Sequence, residues 1–274
     1  MKVADRYAVI GNPVAHSKSP WIHAKFAEQT GEAIDYGSLL APVGGFAAAV
    51  AAFRTSGGKG ANVTLPFKEE AYALSSELSE RARAARAVNT LLFSKSAVLG
   101  DNTDGCGLTR DLTLNRGFSI PGRRVLLLGA GGAARGVLLP LLEERPAALV
   151  IASRTIEKAR QLVELLPGRR DEAVSVCGYD GLGGESFDLV INATSAGLTN
   201  TALPLPPRLF SPGSLAYEMM YGRETAFMRQ ARADGAARIS DGLGMLVEQA
   251  AESFFLWRGV RPLTAPVLSE LRAV

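Results

Sequence analysis

The sequence predicts an α/β protein whose second half contains a doubly wound parallel sheet, and three observations carry this. Val125 to Leu128 and Phe187 to Ile191 are short unbroken apolar runs, as parallel strands buried on both faces require. A helical pattern follows the first run and continues through Leu142. Between strand and helix lies Gly129-Ala130-Gly131-Gly132-Ala133-Ala134, which fits the G-x-G-x-x-G/A spacing in the strand–turn–helix context that gives it meaning.

From the N-terminus, Arg6 to Ile10 reads as a strand closed by Gly11-Asn12-Pro13. Ser17-Lys18-Ser19-Pro20 opens a helix, with Ser19 placed as its N-cap and Pro20 at the first helical position. Taken alone, Ser19 reads as a cap, although two serines on such a loop also present hydroxyls to a polar ligand. Ala33 to Leu40 is a strand, Phe46 to Arg54 an alanine-rich helix, and Gly57-Gly58-Lys59-Gly60 a turn. Ala61-Asn62-Val63-Thr64 then runs through Pro66 into a helix, with Lys68 in its first turn. A cation there opposes the helix dipole, and with polar Asn62 and Thr64 beside it Lys68 reads as a functional residue rather than a solvated surface lysine.

Val88 to Phe93 and Ala97 to Leu99 form a hairpin around Lys95-Ser96. The polar run Gly100-Asp101-Asn102-Thr103-Asp104-Gly105 leads into a helix from Cys106 to Leu114. Asp104 reads either as that helix's cap or as part of a ligand-binding domain junction.

In the glycine motif, Gly129 permits the tight turn, Gly131 lets backbone approach a pyrophosphate and Ala134 allows close helix–strand packing. The helix N-terminus adds free N–H groups for the phosphates. Ala148 to Ala152 is the next strand, followed by Ser153-Arg154-Thr155. An acid at this point would hold ribose hydroxyls; Arg154 instead suits a 2′-phosphate, so the expected cofactor is NADP(H). Asn192-Ala193-Thr194-Ser195 follows the next buried strand, at the end expected to face the cofactor. Leu203 to Pro212 reads as irregular, and Leu215 to Met220 as the last strand, with Tyr221 at its tip. Asp241 and Gly242 begin a long helix running to Trp257, on which Gln249 interrupts an apolar stripe and needs partners for its amide.

The chain has 274 residues, 47% hydrophobic and 21% charged, enough for a sizeable core and one or two domains. A net charge of +3 is too mild to point to nucleic acid or an anionic membrane. Cys106 and Cys177 are too few and too scattered for a disulfide framework or zinc site, and His16 and His23 stand in unlike surroundings, so no metal is expected. With no signal peptide and no bilayer-length apolar run, the expectation is a soluble, reduced, cytoplasmic protein, monomeric or homodimeric. Cys106 is expected to be a small packed side chain.

Taken together, these motifs resemble the shikimate dehydrogenase family over essentially the whole chain. The blocks that carry the resemblance are Gly11-Asn-Pro-Val-Ala-His-Ser17-Lys-Ser19-Pro20, Asn62-Val-Thr64-Leu-Pro-Phe-Lys68, Ala87-Val-Asn89-Thr90 and Asn102-Thr-Asp104-Gly105. The loop at Gly129, Asn192-Ala-Thr-Ser195 and Asp241-Gly-Leu-Gly-Met-Leu-Val-Glu-Gln249 complete them. The resemblance implies Lys68 and Asp104 as the catalytic pair, and Ser17, Ser19, Thr64, Asn89, Asp104, Tyr221 and Gln249 as the shikimate-binding set. On the cofactor side it implies Gly129, Ala130, Gly131, Gly132, Ala133, Ser153, Arg154, Thr155, Lys158, Met219 and Gly242, and more weakly Glu80. It further implies a substrate domain of residues 1–103 and 242–274, an inserted Rossmann-type NADP-binding domain of residues 104–241, and an active site in the cleft. The implied activity is the reversible NADPH-dependent reduction of 3-dehydroshikimate to shikimate in aromatic amino-acid biosynthesis. Three positions depart from the usual pattern: Ala24 and Ser153 stand where Asn is frequent, and Glu218 where Asp is common. Two other readings stay open: a quinate/shikimate dehydrogenase using NAD, and a catalytically silent NADP-binding regulator.

Overall fold

The computed structural model describes residues 4–164, 166 and 173–273. The chain divides into two compact units, one comprising the residues up to Gly107 and those from Leu246 onward, the other Leu108–Met245. It passes between them within the helices Asp104–Arg110 and Leu243–Arg258.

The first unit contains β1 (Asp5–Gly11), β2 (Ile34–Leu40), β3 (Gly58–Val63), β4 (Glu77–Leu78), β5 (Thr90–Phe93) and β6 (Val98–Asp101). They form one sheet in the order β2-β1-β3-β5-β6-β4. β1 runs parallel to β2 and β3, while β5 runs antiparallel between β3 and β6. One face is covered by Phe46, Val50 and Phe67 packing on Ile10, Val63 and Leu91, all buried. The other carries an aromatic stack in which Tyr7 lies on Trp257 at 4.6 Å and His23 on Tyr36 at 4.1 Å.

Two local expectations are corrected. The helix Ser19–Thr30 begins one residue early: Lys18 is its N-cap and makes no side-chain capping bond. Ser17 Oγ accepts from the Ser19 N–H at 3.2 Å instead, which frees the Ser19 hydroxyl from capping. Gly58 and Gly60 belong to β3, not to a turn. A Cβ at Gly58 would lie 2.5 Å from the Phe53 ring, and one at Gly60 2.6 Å from Trp257 Nε1, so here glycine marks close packing inside a strand.

His23 has an acid-stability consequence. It is fully buried, and burial pushes its pKa down to about 3 from an ordinary 6.5. The unfolded chain therefore binds a proton below pH 6.5 that the folded chain refuses, and stability falls as pH drops. Between pH 6.5 and 5 the loss is about 2 kcal/mol. The urea midpoint should decline over that window in the native protein and stay flat in His23→Gln; equal slopes would refute the assignment.

The second unit contains β7 (Arg124–Leu128), β8 (Ala148–Ala152), β9 (Val174–Cys177), β10 (Phe187–Asn192), β11 (Phe210–Glu218) and β12 (Arg238–Ser240). All neighbours pair in parallel, in the order β12-β11-β10-β7-β8-β9. Counted within the unit, this is the strand order 3-2-1-4-5-6 of the doubly wound dinucleotide-binding fold, as expected. Leu126, Leu128, Phe187, Val190, Ala216 and Phe227 form a buried core on one face. Three features escaped the sequence reading. β9 and β12 have four and three residues, too few to display a period, so Leu215 to Met220 is not the last strand. β11 also begins at Phe210, inside the stretch read as irregular, because its pairing with β10 shifts register between Phe187 and Leu189.

Candidate active site

The first unit collects its polar residues at one edge of the sheet. β1, β3 and β6 end at this edge and antiparallel β5 begins there. Ser17 follows β1, Thr64 and Lys68 follow β3, Asn89 immediately precedes β5, and Asp104 follows β6. Residues far apart in the chain thus meet because strand direction brings their loops to one side.

Lys68 is the first residue of the helix Lys68–Leu74. Its Nζ lies 2.5 Å from Asp104 Oδ2, with the lysine side chain 25% and the aspartate 10% exposed. The carboxylate answers the dipole conflict at this position. Its other oxygen, Oδ1, accepts from Asn89 Nδ2 at 2.8 Å. Asn89 is itself oriented, since its Oδ1 accepts from the Thr103 N–H and from Thr90 Oγ1, both at 2.9 Å. The Asp104 N–H donates to Asn102 Oδ1 at 3.1 Å. Asp104 is the first residue of its helix rather than a cap before a helix starting at Cys106, and its side chain serves Lys68 and Asn89.

The strand before this loop is fastened by Asp101, whose carboxylate accepts from Arg81 Nε and Nη2 at 2.7 Å and from Ser79 Oγ at 2.5 Å. Burial raises its pKa, and the Arg81 guanidinium overrides that effect, holding the carboxyl below the usual carboxylate range.

Gln249 is half-buried. Its Nε2 donates to Leu246 O at 2.9 Å, and its Oε1 lies 3.3 Å from both Asn89 Nδ2 and Thr103 Oγ1. Ser19 is buried. The Tyr36 hydroxyl donates to Asn62 Oδ1 at 2.7 Å, and Asn62 Nδ2 donates to Ser253 Oγ at 2.9 Å and Thr90 Oγ1 at 3.1 Å. Tyr36, Thr103 and Ser253 had not been singled out. Ser253 was recoverable, one helical turn beyond Gln249; Tyr36 sits in an ordinary strand and carried no signal.

The second unit has its own edge. All six strands are parallel, so Gly129, Ser153, Asn192, Met219 and Gly242 lie at or just past strand ends on one side of the sheet. β7 stands between β8 and β10, the switch point where winding reverses. Gly129 has φ +103, and a Cβ there would lie 3.1 Å from Thr194 Cγ2 and 3.2 Å from Ala193 O. Only glycine suits this turn. Gly131 caps the helix Gly132–Glu143 without a side-chain bond, and the space over Gly131 and Gly132 is open. The helix start therefore offers N–H groups to a phosphate, with Ala130 and Ala133 too small to obstruct it. Arg154, Thr155 and Lys158 are exposed beyond β8, and Ser153 Oγ accepts from the Thr155 N–H at 3.3 Å. A Cβ on Gly242 would lie 2.1 Å from Met219 O, so these two backbones touch. These features fit a phosphorylated dinucleotide.

Of the substrate-side candidates, Ser17, Ser19, Thr64, Lys68, Asn89, Asp104 and Gln249 all belong to the first unit, while Tyr221 belongs to the second, half-buried beyond β11 with its phenol pKa raised by burial. The described residues contain no group of His, Cys, Asp and Glu arranged to hold a metal, and no helix long and apolar enough to cross a membrane. Glu80, exposed, belongs to the first unit, and the other cofactor candidates belong to the second.

Comparison with known proteins agrees with this geometry. Residues 9–91 match the family model of the shikimate dehydrogenase substrate binding domain, residues 112–200 that of shikimate / quinate 5-dehydrogenase, and residues 242–272 that of the shikimate 5′-dehydrogenase C-terminal domain. The chain is 59% identical over 270 residues to shikimate dehydrogenase (NADP(+)) of Methylobacillus flagellatus, covering 98% of this chain and 99% of that one. A crystal structure of an enzyme from Pseudomonas putida is 49% identical with a TM-score of 0.94, at 98% coverage of both chains. Shikimate 5-dehydrogenase from Thermus thermophilus, solved in complex with NADP(H) and shikimate, is 33% identical with a TM-score of 0.86, covering 98% of this chain and 99% of that one. With its two sheets, its two polar edges and relatives matched end to end, the chain belongs to the shikimate dehydrogenase family.

Proposed function

We propose that this protein is an NADP-dependent shikimate dehydrogenase, reducing 3-dehydroshikimate to shikimate reversibly in aromatic amino-acid biosynthesis. The observation that carries the reading is the Lys68–Asp104–Asn89 constellation, a cation that can release a proton, held by a carboxylate that is itself held.

NADPH, when bound, supplies the hydride. Lys68 stabilises the negative charge that grows on the carbonyl oxygen and transfers a proton to it, acting as the base in the reverse direction. Asp104 fixes the direction of the ammonium and accepts from the hydroxyl next to the reacting carbon. Asn89, Thr64 and Gln249 provide neutral polar groups for the remaining hydroxyl, and Ser17 and Ser19 for the carboxylate; Tyr221 is the other residue proposed for shikimate binding. Gly129 to Ala133 receive the pyrophosphate, Ser153 to Lys158 the 2′-phosphate, and Met219 and Gly242 the nicotinamide side. The protein is proposed to work in the cytoplasm.

Oxidation of NADPH in the presence of 3-dehydroshikimate, compared with NADH, tests the reading. Rapid turnover with NADPH alone supports it; equal use of NADH favours the quinate-type alternative; binding of NADPH without turnover favours the silent regulator. Arg154→Ala is expected to raise KM for NADPH about tenfold or more, because a multiply hydrogen-bonded guanidinium–phosphate pair is lost, while KM for NADH stays within about twofold. Parallel changes for both cofactors would remove the 2′-phosphate role.

A further inference from the structure

Glu218 closes β11 and is fully buried. Its carboxylate gathers three groups, one from the end of β10 and two from the connection that follows β11. The Met220 N–H donates to Oε1 at 3.1 Å, and Asn192 Nδ2 and Thr225 Oγ1 donate to Oε2, each at 2.8 Å. All three recorded donors are neutral. An ionised carboxylate in an apolar interior is unfavourable without compensation. Burial pushes the pKa of Glu218 up, while these hydrogen bonds pull against it.

The neighbours of Glu218 explain what such a group does here. With its Nδ2 committed to the carboxylate, Asn192 turns Oδ1 toward Thr194, accepting from the Thr194 N–H at 3.1 Å and from Oγ1 at 2.7 Å. Thr194 in turn packs its methyl against Gly129 at the turn of the dinucleotide motif. On the other side, the Met219 N–H donates to Asn192 O at 3.1 Å, and the Gly242 N–H to Met220 O at 2.9 Å. Thus three segments at the carboxyl edge, following β10, β11 and β12, are tied through one acceptor-only group and its immediate partners.

The geometry points to Glu218 as a positioning residue for the nicotinamide half of NADP(H), holding the Asn192–Thr194 loop and the Met219–Met220 segment in register with the turn at Gly129. This rests on the cofactor assignment proposed above. The sheet order separates the two halves of the cofactor: β10 and β11 lie on one side of β7, whereas β8, which leads to Arg154, lies on the other. A glutamine at 218 keeps one acceptor oxygen and puts an N–H₂ group where a donor arrives, so at least one of the three bonds is lost. Aspartate keeps two acceptors.

The test is binding, read by NADPH fluorescence titration, with 2′,5′-ADP as a probe of the adenosine half alone, measured by calorimetry. Failure of the native protein to bind NADPH would sink the cofactor assignment itself. Given native binding, Glu218→Gln is expected to weaken NADPH about tenfold while leaving 2′,5′-ADP within about twofold, and Glu218→Asp to stay within about threefold of native for both, as for other displaced binding groups. NADPH affinity unchanged in Glu218→Gln, or a parallel loss of 2′,5′-ADP, would overturn the inference. If Glu218→Gln fails to fold, Thr225→Val deletes one donor only. It should weaken NADPH about threefold and 2′,5′-ADP not at all, and unchanged NADPH affinity overturns the inference equally.

Discussion

Lys68→Ala is expected to lower kcat for 3-dehydroshikimate reduction about a thousandfold or more, with the fold intact. General acid catalysis alone is worth about a hundred- to ten-thousandfold, and the positive charge facing the developing oxyanion adds to it. The side chain is partly exposed, lies outside the apolar core and enters the helix only as its first residue. Asp104 keeps the Asn89 amide as a partner. Steady-state kinetics beside circular dichroism decide the matter, and turnover within tenfold of native would remove Lys68 from the chemistry. Lys68→Arg separates charge from proton transfer. A guanidinium keeps the cation but does not release a proton near neutrality, so this variant should remain at least about a hundredfold impaired. Recovery with arginine would mean that only the charge matters.

The second large effect is expected at Asp104. Its two oxygens face two donors, the Lys68 ammonium at 2.5 Å and the Asn89 amide N–H₂ at 2.8 Å. Asn89 cannot turn over to help, because its own oxygen is held by the Thr103 backbone N–H. In Asp104→Asn one of the two facing groups becomes a donor, so either Lys68 or Asn89 loses its partner. A loss in kcat of about a hundredfold follows, since a reacting group displaced by about an ångström costs that much. The carboxylate is also the partner of a cation in a site that is 90% shielded at the aspartate, so the variant should lose shikimate affinity as well. Measuring kcat and shikimate binding in the same preparation checks both, and native-like values for each would place the organising role elsewhere.

The amino-acid sequence alone determined the strand–turn–helix unit at the centre of the second sheet, because its signals are local. Val125 to Leu128, the small residues from Gly129 to Ala134 and the following helix lie within one strand–turn–helix segment, and each residue's reason for being there is steric or hydrophobic over a few neighbours. The positive φ of Gly129 and the unobstructed helix start bear out that part of the reading. Lys68 was legible for a similar reason, as a charge in the wrong place on its own helix.

What only the tertiary structure decided are relations between segments. Glycines at 58 and 60 read as a turn until Phe53 and Trp257 are seen pressing on them. Ser19 reads as a cap until the Ser17 hydroxyl is seen on its N–H. β12 is three residues long and exists as a strand because β11 lies alongside it. The pairing of Lys68 with Asp104 and the orientation of Asn89 in the first unit, and the donors around Glu218 in the second, depend on residues from 2 to 36 positions apart meeting at the edge of their own sheet. A hydrogen bond is specified by distance and direction in space. The linear pattern records burial and period, so it can name the groups at such an edge but cannot state which of them touch.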